Sequence, residues 1–102
     1  MNKLHPTLWR TCRVLSGNTR LDLFRLVLTR PDLHVSDLAA QAKISLPRAS
    51  QELRRIQSRG LLQAVRRGLF VQYRPVPDRT VSSAGPILQA VQETFRRFPG
   101  NE

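Results

Sequence analysis

A single cysteine, Cys12, stands in a chain of 102 residues. That excludes an intramolecular disulfide framework and any cysteine cluster for zinc, and it suits a reducing compartment, so a cytoplasmic location is expected. Histidine is almost as scarce. His5 and His34 share no metal-ligand spacing with the seven carboxylates, and there is no glycine-rich phosphate loop. Nothing places a nucleophile beside a base, so no catalytic residue, metal site, cofactor or enzyme activity is expected. No apolar run approaches the roughly 18 residues of a membrane span, and the first 19 residues lack the continuous apolar core of a signal peptide. No membrane partner is therefore expected. Aromatic residues make up only 6% and most fall on expected core faces, a poor stacking platform for single-stranded RNA.

Acidic residues are also few. Lys plus Arg number 17 against seven Asp plus Glu, a formal charge of +10. All but Lys3 and Lys43 of the basic residues are Arg, whose planar fork suits phosphate and guanine edges. The excess is uneven. Residues 1–45 carry +4, residues 46–79 carry +6, and residues 80–102 are neutral. A solvated charged face would account for a few arginines; an asymmetry of this size points to a polyanion. The hydrophobic content of 40% is that of a globular chain, and the length fits one domain spanning residues 1–102.

The apolar pattern predicts mainly helix with one small hairpin. A first helix is expected from about Pro6 to Ser16, with Leu8, Cys12 and Leu15 on a stripe and Trp9 beside it. Gly17 is expected as a left-handed cap and Asn18 as the next N-cap. A second helix, about Thr19–Arg30, carries Leu21, Phe24, Val27 and Leu28, and Pro31 stops it. A third runs about Val35–Ala42, with Asp37 in its first turn and His34 as an exposed helix-start residue. The fourth starts at Ser45 as N-cap, tolerates Pro47 in its first turn, and ends at Gly60. After Gly60 the period changes. Leu62–Val65 and Leu69–Arg74 read as two strands around an Arg66-Arg67-Gly68 turn. A last helix is expected from Pro86, with Ile87, Leu88, Val91 and Phe95 on one side, ending at Pro99-Gly100. The order α-α-α-α-β-β-α, with a tight turn before the fourth helix, describes a winged helix-turn-helix.

In the fourth helix, Leu46, Ala49, Leu53 and Ile56 form the expected packing face. Pro47, Gln51, Arg54, Arg55 and Ser58 lie opposite, with Arg48 on the flank. A groove-reading helix needs this division. Arg can bind guanine O6 and N7, and Gln adenine N6 and N7, so Arg48 and Gln51 are the expected base readers. Ser45, Ser50, Arg54 and Arg55 are expected at phosphates, which position the helix without reading sequence. Arg66 and Arg67 at the hairpin tip are expected beside or in an adjacent minor groove. The alternatives are an ordinary amphipathic helix with solvated arginines, a polar turn, a winged-helix module whose basic face meets an acidic protein, and a nonspecific nucleic-acid binder.

The stretch Ser16–Arg74 resembles the ArsR-type winged-helix repressors. The matching pieces are Ser16-Gly17-Asn18-Thr19-Arg20-Leu21, Val35-Ser36-Asp37-Leu38-Ala39, Ile44-Ser45, Ala49-Ser50, Leu53, Gly60-Leu61, Arg66-Arg67-Gly68 and Val71-Gln72-Tyr73-Arg74. The resemblance implies a homodimeric, double-stranded DNA-binding repressor pairing through its first and last helices, about residues 6–16 and 86–98. It thereby assigns Leu8, Trp9, Cys12 and Leu15, with Ile87, Leu88, Val91 and Phe95, to a dimer contact. Three departures stand out. Val35-Ser36-Asp37 occupies the place of the cysteine pair of metal-sensing members, and the last helix has no histidine. Lys43 replaces the glycine many relatives carry in the turn, so that turn is expected to be tighter or strained.

Overall fold

The computed structural model describes residues 6–81 and 83–98. Helices α1 (Pro6–Val14), α2 (Asn18–Thr29), α3 (Val35–Ala42) and α4 (Leu46–Ser58) precede strands β1 (Gln63–Arg67) and β2 (Phe70–Arg74), and α5 (Ala84–Arg97) follows. The order is the expected one. His5, Pro99 and Gly100 lie outside the described residues.

The helix ends are set by local chemistry. The chain leaves α1 through short-range bonds, with the Ser16 N–H donating to Arg13 O at 3.1 Å. The Arg20 guanidinium donates to Val14 O at 3.0 Å and so satisfies a C-terminal carbonyl of α1. No left-handed cap is then required. Gly17 is extended, at φ −107° and ψ 140°, and is the N-cap of α2, with Asn18 already helical. At α3 the Asp37 carboxylate accepts the His34 N–H at 3.0 Å, closing the first turn. At α4, Ser45 Oγ accepts the Arg48 N–H at 3.2 Å, as expected of an N-cap, and Pro47 occupies the first turn, where no intrahelical donor is needed. The helix α5 begins two residues before Pro86, with Ser83 as N-cap.

The turn between α3 and α4 is a Schellman motif. The Ile44 N–H reaches Ala39 O at 3.0 Å and the Lys43 N–H reaches Ala40 O at 3.2 Å. Lys43 closes it at φ 59°, in the left-handed region. A side chain there costs roughly 1–2 kcal/mol, while glycine forfeits up to about 1 kcal/mol of that advantage through its freer unfolded chain. Lys43→Gly is therefore expected to stabilise the protein by about 0.5–1 kcal/mol. A urea midpoint that stays or falls would show that the Lys43 side chain compensates the strain. Gly60 also takes a left-handed turn (φ 81°), and a Cβ there would sit 3.0 Å from Asp78 Cβ.

The hairpin differs from expectation in register. Arg66 and Arg67 belong to β1, paired with Val71 and Phe70, and the turn is Gly68-Leu69. Gly68 at φ 63° takes the first turn position, where a type II′ hairpin calls for glycine.

The core is built by Leu23, Phe24 and Val27 of α2, Leu38 of α3, Ala49, Leu53 and Ile56 of α4, Leu61 and Leu62, Tyr73 of β2, and Ala84 and Leu88 of α5. Phe95 meets Phe24 edge to face at 6.5 Å, fastening the second half of α5 to α2. Two corrections arise at the margins. Leu46, expected on the packing face of α4, is half exposed, because the first helical residue extends beyond the core. Cys12 is exposed and so lies outside the chain's own core, where α1 turns Thr11 and Val14 inward; its expected place at a dimer contact is unaffected.

Candidate nucleic-acid interface

The buried stripe of α4 runs Ala49, Glu52, Leu53, Ile56. At about 100° per residue, the direction opposite it carries Pro47, Gln51, Arg54 and Ser58, all exposed. One flank bears Arg48, Arg55 and Arg59; the other bears Leu46 and Ser50. The expected division of faces is therefore present, with one addition that the sequence reading missed.

That addition is Glu52, 8% exposed. Its carboxylate meets Arg55 Nη1 at 3.3 Å, Arg20 Nε at 3.4 Å and Arg48 Nε at 4.0 Å. The i−4 and i+3 arginines were legible as helical neighbours. Arg20, brought in from α2, was not. The group ties α2 to α4 and draws Arg48 and Arg55 toward one flank of the helix. Among the described residues, Arg54 and Arg66 have no carboxylate partner, so their charge is available to a ligand.

The ribbon lies beside the Ser50 flank. Ser50, Leu46 and Arg54 of α4 face Phe70 and Tyr73 of β2 across a groove of about 390 Å³, with His34 at its edge. Burial raises the Tyr73 phenol above its usual pKa, against a smaller opposing pull from Arg54. His34 is half-buried rather than exposed, stacked on Phe70 at 4.5 Å and bridged by backbone to Gln72. Gln72 is itself buried. Its amide donates to Asp32 O at 2.9 Å, and its carbonyl accepts Arg67 Nε at 3.0 Å. Arg67 is thus held against the ribbon by a side-chain bond, while Arg66 projects without a carboxylate partner. The ribbon's own tip is apolar: Leu69 is 95% exposed.

The residues expected at a dimer contact divide. Trp9 and Cys12 are exposed, while Leu8, Leu15, Ile87, Val91 and Phe95 are half-buried. Leu88 lies in the core of the chain itself. Helices α1 and α5 pack against each other. No group of three or more His, Cys, Asp or Glu suited to a metal occurs among the described residues, and no helix there is long and apolar enough to cross a membrane.

No protein-family model and no curated protein sequence matches the chain. Solved structures do. HlyU from Vibrio cholerae superimposes with a TM-score of 0.73 at 18% identity, covering 96% of this chain and 98% of that one. The homodimeric winged helix-turn-helix DNA-binding domain Mb0332 from Mycobacterium bovis, described as a possible ArsR-family regulator, gives 0.64 at 24%, covering 91% of each chain. An ArsR-like transcriptional regulator from Rhodococcus sp. RHA1 gives 0.62 at 26%, covering 91% of this chain and 79% of that one. The chain has the winged helix-turn-helix fold of the ArsR-type regulators, and the resemblance read from its sequence extends to its structure.

Proposed function

We propose that the chain is a single-domain, homodimeric, sequence-specific binder of double-stranded DNA that represses transcription by occlusion. The observation that carries this reading is the common groove between α4 and the ribbon. Leu46, Ser50 and Arg54 of α4 and Leu69, Phe70, Val71 and Tyr73 of the ribbon line one concavity, with exposed Gln51 on the outer face of α4 and exposed Arg66 and Arg67 on β1 of the ribbon. A duplex would take α4 in its major groove, with Arg48 and Gln51 reading bases near the helix N-terminus. Ser45, Ser50, Arg54 and Arg55 would meet phosphates, with Pro47 packed against the backbone. The ribbon would bring Arg66 and Arg67 to the neighbouring minor groove. Pairing through α1 and α5 would place two such helices roughly 34–36 Å apart on a palindromic site. No metal at the usual family positions takes part in this mechanism.

Selection from random duplex DNA tests the proposal. A palindrome with half-sites one turn apart is the expected product. Within that site, Arg48→Ala and Gln51→Ala should each erase about 1–3 kcal/mol of discrimination at one or two base pairs. Arg66→Ala with Arg67→Ala should instead weaken all duplexes alike. Equal effects of both pairs on every duplex would abolish the division between reading and positioning. A second reading rests on Leu46, Leu69 and Phe70, which expose apolar surface at the groove rim and would suit a protein partner. Absence of duplex binding by the purified chain would favour it.

A further inference from the structure

A second concavity lies on the opposite flank of α4, away from the ribbon. It encloses about 590 Å³ between α1, the start of α2 and the C-terminal half of α4, within the roughly 300–1,000 Å³ of small-ligand sites. Trp9, Arg10 and Arg13 come from α1, Arg20 from α2, and Arg55 and Arg59 from the end of α4. Five guanidinium groups from three helices thus converge on one hollow.

Structural bonds account for part of this charge. Glu52 holds Arg20 and Arg55, and Arg20 also caps α1 through Val14 O. Arg10, Arg13 and Arg59 have no carboxylate partner among the described residues. Subtracting Glu52 from the five arginines leaves four positive charges. The C-termini of α1 and α4 both end nearby, and each contributes about half a negative charge through its dipole. About three positive charges remain uncompensated. Arg13 lies 5.3 Å from the centre of the Trp9 ring, a cation–π contact that holds it at the hollow's wall. Trp9 is 53% exposed, which leaves ring surface for a further stacking partner. On α1 the apolar side (Leu8, Cys12) and the basic side (Arg10, Arg13) diverge at helical spacing, with Trp9 between them; pairing through Leu8 and Cys12 leaves the hollow open and takes Trp9 out of the dimer contact that the resemblance implied.

We propose that this hollow binds closely spaced phosphate groups, with Arg10, Arg13 and Arg59 as the ligating residues and Trp9 as a platform for an attached base. Three clustered charges match a triphosphate or adjacent phosphates of a nucleic-acid backbone. Guanidinium forks bind such oxygens in paired, charge-assisted hydrogen bonds. The site is separate from the groove beside the ribbon and does not depend on the DNA-binding reading.

Trp9 is the chain's single tryptophan, so its fluorescence reports on the hollow directly. The full-length chain is titrated with sodium tripolyphosphate, with ATP and with a random-sequence duplex, each followed by fluorescence and calorimetry. Saturable binding with a Trp9 response is expected. Arg10→Ser and Arg59→Ser should each weaken it about tenfold or more, and the corresponding lysine variants should restore part of the loss. The charge-matched double variant Arg30→Ser with Arg79→Ser, exposed positions outside the hollow, should change it little. Tighter binding of ATP than of tripolyphosphate supports base stacking on Trp9. A response to duplex alone, lost in Arg10→Ser with Arg59→Ser, assigns the phosphates to the DNA backbone. Absence of heat and fluorescence change with tripolyphosphate and ATP, with any duplex response left intact by Arg10→Ser with Arg59→Ser, overturns the proposal. So does equal weakening by the two double variants, which would reduce the effect to net charge. Because tripolyphosphate is titrated without DNA, failure here and failure of the DNA-binding reading are distinguished.

Discussion

Raising salt from 50 to 200 mM is expected to weaken duplex binding by roughly 10³- to 10⁵-fold. The expectation follows from the arginines on the exposed surface of α4 and on the ribbon. Arg48, Arg54, Arg55, Arg66 and Arg67 supply five guanidinium groups per chain, all exposed. Two chains on one site would neutralise about six to ten phosphates, allowing for arginines that read bases or stay with Glu52. Each neutralised phosphate releases counterions, so log K should fall against log salt with a slope of about −5 to −9. Fluorescence anisotropy at four or five salt concentrations measures the slope. A value shallower than about −3 would mean that the basic surface does not track the backbone. Binding would then have to rest on Leu46, Leu69 and Phe70, whose apolar contacts respond little to salt.

The slope also separates the two halves of the interface. Arg66 has no carboxylate partner among the described residues, and Arg67 is bonded only to the neutral Gln72 side chain. Moving either onto a phosphate breaks no ion pair. Arg55 must leave Glu52 at 3.3 Å or share it. The ribbon arginines should therefore contribute nearly their full increment to the slope, and Arg55 less.

Much of this arrangement was legible in the sequence because it follows from local rules. The stripe Ala49, Leu53, Ile56 has helical spacing, and the structure buries it. Ser45 caps α4, Gly60 ends it in a left-handed turn, and Lys43 takes the left-handed conformation that its position implied. The errors arose where two solutions have equal local merit. In the hairpin, Arg66-Arg67-Gly68 and Gly68-Leu69 are both acceptable turns. The choice belongs to pairing, since starting β2 at Phe70 buries Gln72 and Tyr73 and stacks Phe70 on His34. In α1, apolar residues occupy more than one side. Leu8, Cys12 and Leu15 make the better stripe on paper, yet Thr11 is the fully buried residue. Its hydroxyl has no partner in the described structure, a cost that no hydrophobicity rule would select. Leu46 shows the opposite case: an apolar residue at the right angle lies one turn beyond the core. Long-range contacts were the least legible. Neither Arg20 on Glu52 nor Gln72 on Asp32 leaves a trace in periodicity, because the partners are far apart in sequence.

Glu52 is where stability and binding oppose each other, and Glu52→Ala should move both. A carboxylate 8% exposed among three arginines is a partly buried ionic group. Removing one member of a fully buried pair costs about 3–5 kcal/mol, mostly by leaving the other charge unpaired. Here Arg48 and Arg55 are more than half exposed and can turn to water, whereas Arg20, at 23%, cannot do so freely. The discounted loss is about 2–3 kcal/mol, or roughly 10–20 °C in Tm for a chain of this length. Glu52→Gln keeps the volume and one acceptor and should lose about half as much. Nonspecific duplex affinity should move the other way. Each chain gains one positive charge, and Arg48 and Arg55 are freed for phosphate, so the salt slope should steepen by about 1 per chain. Urea denaturation and anisotropy on the same preparations read the two effects. A midpoint unchanged in Glu52→Ala would show that Arg20 is held by Val14 O alone. An unchanged slope would show that Arg48 and Arg55 already reach the backbone with Glu52 in place.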